Sequence, residues 1–145
     1  MSKVIQTLKQ IQADSIVFYM KLHNLHWNVE GLMFKPIHEA TEEIYEQFAD
    51  VFDDTAERVV QLGEKPYVTL ADAVKNAKIK EESATKFKPD QVLKVVLSDF
   101  EYFAKTFKEL SNIADDSGDK VTADYANGIL AQLEKSIWML KAQLA

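Results

Sequence analysis

The sequence contains no cysteine, only four glycines and three prolines, and no long apolar run. Without cysteine there is no disulfide framework, no thiolate nucleophile and no cysteine-bound metal. Glycine and proline supply many of the turns in proteins, so their scarcity favours a few long helices over a many-stranded β fold. No apolar stretch approaches the ~20 residues that a bilayer-crossing helix requires. The sequence therefore predicts an all-α protein that has no part in a membrane.

The amino terminus also lacks the continuous apolar core of a secretory signal, since Met1 to Gln12 mixes lysine and glutamine with single apolar residues. Together with the absence of cysteine, this suits a cytoplasmic protein. The length of 145 residues is enough for one hydrophobic core, so we expect a single domain over residues 1–145. The formal net charge of −6 repels phosphate backbones and attracts cations, which disfavours nucleic acid and favours a cationic ligand.

Apolar residues that recur every three or four positions predict four long helices. The first is expected from Lys3 to Val29 and the second from Pro36 to Leu62. Gly31 marks the break between them, and Gly63 is expected to end the second. A third helix should begin near Pro89, and a fourth should follow the turn at residues 115–118.

A long connection separates the second and third predicted helices. It spans residues 63–88, and residues 70–77 within it have the pattern of a short helix. Two helices, a long crossover and two further helices are typical of one bundle architecture. The sequence thus predicts a ferritin-like four-helix bundle with a long central crossover that carries a short helix.

Histidines and carboxylates are concentrated in one part of the chain. His23 and His26 lie on the first predicted helix and His38 lies near the start of the second. Imidazole is the commonest nitrogen ligand for metals, and carboxylates suit harder cations such as iron. The carboxylates of the second helix are Glu39, Glu42, Glu43, Glu46, Asp50, Asp53, Asp54 and Glu57.

A helical wheel at ~100° per residue places the candidate ligands on the outside of their own bundle. Asp53 and Glu57 fall ~150–180° from the core stripe of the second helix, and His38 falls ~90° from it. His26 lies at the edge of the first helix's core face. The inward Glu-x-x-His pairs of many ferritin-like proteins do not occur in this sequence. From periodicity alone, a solvated acidic face remains the alternative to a metal site.

Other prominent residues can be explained by a structural role as well as by a functional one. His23 is expected at the surface, and Trp27 in packing rather than in redox chemistry. Trp138 is expected in the core or in an interface. The crossover lysines form a solvated loop or a phosphate-binding patch: Lys75, Lys78, Lys80, Lys86 and Lys88.

One segment resembles a known family signature. It reads Lys21-Leu22-His23-Asn24-Leu25-His26-Trp27-Asn28-Val29-Glu30-Gly31, and it is similar to the signature of the Dps family, the miniferritins named as DNA-binding proteins from starved cells. The likeness includes Phe34, His38, Glu42, Tyr45, Asp53, Ala56, Glu57, Arg58 and Ser136-Ile137-Trp138. Within the family, the sequence looks most like the branch of the bacterial neutrophil-activating protein.

The resemblance implies an iron-storage protein with ferroxidase activity. The subunits would form a hollow homododecamer, with a site for two iron ions (Fe2+/Fe3+) at each two-fold interface and hydrogen peroxide as the favoured oxidant. His26 and His38 would come from one subunit, and Asp53 and Glu57 from its partner. Glu42 matches a position where some relatives supply an extra carboxylate.

Further positions follow from the same resemblance. Trp27 would lie beside the site, and Asp119 and Asp124 would lie near iron pores. Apart from the resemblance, Glu46 and Asp50 are expected to nucleate iron(III), because they lie on the same side of the second helix as Asp53 and Glu57.

The lysine-rich terminal tail of many members is missing here, so DNA binding is expected to be weak at neutral pH. The alternative function is a DNA-compacting or cell-surface immune-ligand shell with a weak metal site.

Overall fold

The computed structural model describes residues 1–145 as five helices without a strand. The helices are α1 (Lys3–Asn28), α2 (Phe34–Gln61), α3 (Leu70–Asn76), α4 (Pro89–Asp116) and α5 (Lys120–Leu144). A single isolated β-bridge joins Val29 to Phe87. None of the helices combines the length and the apolarity of a membrane span. The predicted all-α class is confirmed.

The helix limits follow the sequence pattern closely. Each of α1, α2 and α3 ends one residue before its predicted limit. Gly63 ends α2 because it adopts a φ of +91°, in the left-handed region that favours glycine. The start of α2 differs from the prediction, because the helix begins at Phe34 and takes Pro36 into its first turn. Proline is tolerated there because the first N–H groups of a helix have no helical acceptor.

The chain divides into two compact units, and Leu8–Val92 forms one of them. Its core lies between α1 and α2, where the buried rings of Phe18 and Phe48 meet edge to face with centroids 4.8 Å apart. Leu22 and Leu25 of α1 and Val51 of α2 are buried in the same unit. Both helices therefore turn an apolar stripe inward, as the three-and-four spacing predicts.

Polar side chains of α1 fix the crossover within this unit. The buried Gln12 side chain donates to the carbonyl of Tyr67 at 2.8 Å and accepts from its N–H at 3.0 Å. The fully buried Asp14 accepts from the N–H groups of Lys78 (2.6 Å) and Ile79 (3.0 Å). Buried carboxylates and amides need such partners, because an unpaired buried polar group is costly.

The second unit comprises residues 1–7 and Leu93–Ala145. Phe103 and Phe107 of α4 are fully buried in it. Ser111 of α4 donates to the side chain of Asn127 of α5 at 2.6 Å. Asp119 caps α5 by accepting from the N–H of Thr122 at 3.0 Å. The position of Asp119 near an iron pore stays a prediction.

Candidate metal centre

His26 and His38 lie face to face where α1 ends and α2 begins. Their rings are stacked with centroids 3.6 Å apart and an interplanar angle of 13°. His26 is buried, with 5% of its surface exposed, and His38 is half-buried. The turn at Gly31, with a φ of +116°, returns the chain on itself between them. The two histidines predicted to belong together are thus adjacent in the fold.

Each histidine of this pair donates to the main chain of the other. Nδ1 of His26 lies 2.5 Å from the carbonyl oxygen of His38, and Nδ1 of His38 lies 2.9 Å from that of His26. A carbonyl oxygen only accepts, so both Nδ1 atoms must carry the proton. This fixes the tautomer and leaves the Nε2 lone pair of each ring available to a metal ion.

Thr41 supports the same arrangement from one turn further along α2. Its buried hydroxyl lies 3.1 Å from Nδ1 of His26 and donates to the carbonyl of Ile37 at 2.8 Å. Burial lowers the pKa of His26, and the bond to the His38 carbonyl offsets this only in part. The ring therefore favours the neutral form, which is the form that binds metals.

Aromatic rings surround the histidine pair. His23 stacks on Tyr45 with centroids 3.8 Å apart and donates from Nδ1 to the carbonyl of Tyr19 at 2.7 Å. The Tyr45 hydroxyl donates to the exposed carboxylate of Glu42 at 3.4 Å. Partial burial, followed by the Glu42 charge, raises the pKa of Tyr45. Glu42 thus lies one turn after His38, and its carboxylate accepts a hydrogen bond from Tyr45.

A second cluster lies further along α2 and consists of carboxylates. Oxygen atoms of Asp53, Asp54 and Glu57 lie within 4.8 Å of one another, and all three residues are exposed. Partial desolvation, followed by the charges of Asp50 and Asp53, raises the pKa of Asp54. The cluster is therefore a group of crowded negative charges on the outer face of α2, as the helical wheel predicts for Asp53 and Glu57.

One chain does not bring the histidine pair and the carboxylate cluster together. The group of carboxylates around Asp53 that could hold a metal ion includes neither histidine. Fifteen residues separate His38 from Asp53 on the unbroken helix α2, which amounts to ~22 Å at ~1.5 Å per residue. A metal ion bound by both groups must therefore take one of them from another copy. The roles of His26, His38, Glu42, Asp53 and Glu57 as ligands stay predictions.

The sequence analysis missed three features of this region. Asp54 lies three residues before Glu57, so helical spacing could have identified it as a cluster member. The contact of the Thr41 hydroxyl with Nδ1 of His26 and the crossed bonds of the histidines depend on how α1 packs against α2, and no sequence pattern signals them. The stack of His23 on Tyr45 likewise depends on tertiary packing.

Comparison with known proteins identifies the class to which this fold belongs. The family described as Ferritin-like domain matches residues 5–145. A structure of CAIP from Helicobacter cinaedi superposes with a TM-score of 0.98 at 64% identity, covering 99% of this chain and 100% of that one. Antigen TpF1 from Treponema pallidum superposes with a TM-score of 0.95 at 39% identity, covering 97% of this chain and 90% of that one. The predicted ferritin-like fold, with a short helix in its crossover, is confirmed.

Relatives of known name narrow the class further. The DNA protection during starvation protein of Helicobacter pylori is 56% identical over 143 residues, which are 99% of each chain. General stress protein 20U of Bacillus subtilis is 37% identical over 142 residues, covering 98% of this chain and 97% of that protein. The chain belongs to the Dps family of ferritin-like proteins, and the resemblance in the sequence is confirmed.

Proposed function

We propose that this protein oxidises iron(II) with hydrogen peroxide and stores the iron(III) product inside a hollow homododecamer. The site would hold two iron ions between two subunits. His26 and His38 of one chain and Asp53 and Glu57 of its partner would be the ligands. The observation that carries the proposal is the fixed histidine pair, in which both Nδ1 atoms are committed to carbonyls and both Nε2 atoms are left for a metal.

The ligand types suit iron as the substrate of this reaction. Neutral imidazole suits iron among the transition metals, and carboxylates suit harder cations. Four ligands of these types leave coordination positions to which an oxidant can bind. Oxygen ligands stabilise iron(III) over iron(II), so Asp53, Glu57 and the nearby Asp54 would favour loss of an electron from iron. Glu42 is a candidate for an additional oxygen ligand beside His38.

Paired iron ions make the reaction balance without a free radical. Two iron(II) ions each lose one electron, and one peroxide molecule takes both electrons and two protons. The oxygen–oxygen bond breaks and two water molecules form, while the irons become iron(III). A site that binds both ions at once therefore consumes peroxide without releasing hydroxyl radical.

We further propose that such chemistry protects DNA without requiring tight DNA binding. Relatives are named as DNA protection proteins, but the net charge of −6 opposes contact with phosphates. A gel shift at neutral pH and about 150 mM salt should show little binding, and any residual binding should weaken as salt rises. Tight binding under these conditions would favour the alternative of a DNA-compacting shell and would direct attention to the crossover lysines.

The direct test is peroxide-driven iron oxidation, followed by absorbance and by spin trapping of hydroxyl radical. Wild-type protein should accelerate the oxidation and suppress the radical. The double variant His38→Ala, Asp53→Ala should lose most of this activity. The matched control Glu101→Ala removes an exposed carboxylate of α4 and should behave as wild type. Equal rates for wild type and the double variant would refute the proposal.

A further inference from the structure

Three rings form one continuous stack at the start of α2. The ring of Phe34 lies over that of His38, with centroids 4.9 Å apart and an interplanar angle of 25°. His38 in turn stacks on His26, with centroids 3.6 Å apart and an angle of 13°. Two rings at these distances are too large to share one face of an imidazole, so His38 lies between them. Phe34 is the outer end of the stack.

Exposure to solvent increases from the inner end of this stack to the outer end. His26 is 5% exposed, His38 is half-buried and Phe34 is 40% exposed. Phe34 therefore covers the face of His38 that is turned away from the buried His26. Without the phenyl ring, water would reach this face.

The two histidines of the stack are not restrained equally. Nδ1 of His26 contacts the carbonyl of His38 at 2.5 Å and the hydroxyl of Thr41 at 3.1 Å, and the ring is buried. The ring of His38 has one hydrogen bond, to the carbonyl of His26 at 2.9 Å. Torsion about the Cβ–Cγ bond of histidine is intrinsically broad, so one hydrogen bond does not fix the plane of the ring. A ring packed against each face does fix it.

The position of Phe34 is set by the local chain. Phe34 and His38 are four residues apart on α2, so their side chains project from one face of the helix. The N–H of Phe34 donates to the carbonyl of Gly31 at 3.0 Å, which ties the first residue of the helix to the turn before it. The phenyl ring is thus placed on His38 within one chain, before any partner or metal binds.

We infer that Phe34 is a positioning residue: its ring holds the plane of His38 and so directs Nε2 of His38 towards the proposed iron site. The inference rests on the proposed function and adds to it a residue that does not itself bind metal. An ordered ligand loses less conformational entropy on binding than a mobile one, so the stack should raise metal affinity. His26 keeps its burial and its contact with Thr41 when the phenyl ring is removed. The effect should therefore be largest at His38.

Substitutions at two positions separate the effect of the ring from that of its surroundings. Phe34→Ala removes the ring, Phe34→Leu keeps apolar bulk but has no flat face, and Phe34→Tyr keeps the ring. Leu32→Ala is the matched control, because Leu32 is an apolar residue of the same turn whose exposure of 104% leaves it without a packing role. Circular dichroism checks that helix content is retained. If Phe34→Ala does not fold, the comparison of Phe34→Leu with Phe34→Tyr still tests the inference.

The first measurement uses the metal-free full-length protein. Deuterium exchange at Cε1 of histidine, followed by mass spectrometry at one neutral pH, reports how freely solvent reaches each ring. Exchange at His38 should be faster in Phe34→Ala than in wild type and unchanged in Phe34→Tyr. Exchange at His23, which stacks on Tyr45, should be the same in all of these proteins. Unchanged exchange at His38 in Phe34→Ala would overturn the inference.

The second measurement is the affinity for cobalt(II), obtained by titration followed by visible absorption. Loss of one aromatic pair should weaken binding by roughly three- to tenfold in Phe34→Ala. Phe34→Leu should be weakened nearly as much, whereas Phe34→Tyr and Leu32→Ala should bind as wild type does. Wild-type affinity in Phe34→Leu would show that apolar bulk alone is sufficient, and the inference of a stacked ring would be wrong.

Iron oxidation separates this inference from the proposed function. Phe34→Ala should need a higher iron(II) concentration for its half-maximal rate, while its maximal rate changes less. If wild type binds cobalt(II) with the expected dependence on position 34 but does not oxidise iron, the proposed function fails and the role of Phe34 in positioning His38 stands. If wild type oxidises iron and Phe34→Ala equals it in rate and in cobalt(II) affinity, the proposed function stands and the inference is wrong.

Discussion

Hydrogen bonds of single residues determine which ring nitrogens of the histidine pair are available to a metal ion. His26 and His38 commit Nδ1 to main-chain carbonyls, and Thr41 adds a hydroxyl contact to His26. Groups that orient a metal-binding imidazole in this way typically change metal affinity ~10–100-fold when they are removed. In the proposed site Thr41 is therefore a positioning residue, and its contribution can be measured separately from that of the proposed ligands.

We expect Thr41→Val to weaken binding of cobalt(II), a spectroscopic substitute for iron(II), by about tenfold. The reason is a less restrained His26 ring, and titration followed by visible absorption measures the effect. Thr55→Val is a matched control, because Thr55 is also buried on α2 and donates to the carbonyl four residues earlier at 2.8 Å. Equal affinities of the two variants would show that the contact between Thr41 and His26 contributes nothing.

The crowded carboxylates of α2 predict a dependence of stability on pH. The raised pKa of Asp54 means that the folded chain binds this proton more readily than the unfolded chain. Ionised Asp54 therefore lowers the free energy of unfolding at neutral pH, and the penalty disappears as the pH falls through the raised pKa. Asp50 and Asp54 are four residues apart, and like charges at this spacing cost roughly 0.2–0.5 kcal/mol.

Asp54→Asn should accordingly raise the melting temperature of the metal-free protein at pH 7 and have a smaller effect near about pH 3, where carboxylates are protonated. Calorimetry at both pH values checks this. The control Glu101→Gln, at an exposed position of α4, should not raise the melting temperature at pH 7 as Asp54→Asn does. A loss of stability at pH 7 on replacing Asp54 would contradict the argument from charge repulsion.

At the scale of helices, the periodicity of apolar residues predicted the helix limits, which depend on interactions between residues close in sequence. The limits of α1 and α3 and the end of α2 at Gly63 followed from apolar spacing and from the left-handed preference of glycine. The anchoring of the crossover could not be predicted in this way. Asp14 lies between Ala13 and Ser15 of α1. Nothing near it in the sequence indicates that its partners are the N–H groups of Lys78 and Ile79, more than sixty positions away.

Removing the Asp14 anchor should loosen the crossover before it unfolds the chain. Asp14→Ala leaves two backbone N–H groups without their acceptor, at a cost on the order of 3 kcal/mol. Hydrogen exchange followed by mass spectrometry should show much faster exchange in the crossover segment around residues 77–80. The control Asn76→Ala removes a half-buried side chain that bonds only locally, to the carbonyl of Asp72, and should leave that exchange unchanged. Slow exchange in Asp14→Ala would show that the anchor is dispensable.

At the scale of the whole molecule, the proposed ligands and their division between two chains are predictions made from the sequence, and the shape of the surfaces that would meet is not contained in it. In the structure His26 lies against His38, and Asp53 lies near Glu57. The roles of these residues as ligands stay predictions. Periodicity showed that Asp53 and Glu57 point outward, and the structure agrees. Which surface of a second copy they would meet depends on the shape formed by α1, α3 and the crossover, and a linear pattern does not contain that shape.

Complementation between inactive chains tests the shared site. One variant carries His26→Ala and His38→Ala, and the other carries Asp53→Ala and Glu57→Ala. Each alone should be nearly inactive. When equal amounts are dissociated, mixed and reassembled, each mixed pair contains one site with all four ligands and one with none. Random pairing should therefore restore about a quarter of the sites, as two-fold symmetry requires.

Iron oxidation measures the recovery, and native mass spectrometry confirms that mixed pairs form. Mixing two batches of the same variant is the control and should restore nothing. Mixed pairs without recovered activity would show that the ligands must be sought within one chain.

The length of α2 between His38 and Asp53 has a genetic consequence. If the histidines and the carboxylates of one chain belong to different sites, a chain that lacks its histidines still provides intact carboxylates to a normal neighbour. A pair of one normal and one defective chain then keeps one of its two sites. In cells that carry both alleles, activity would fall in proportion to the defective fraction, and such an allele would not be dominant over the normal one.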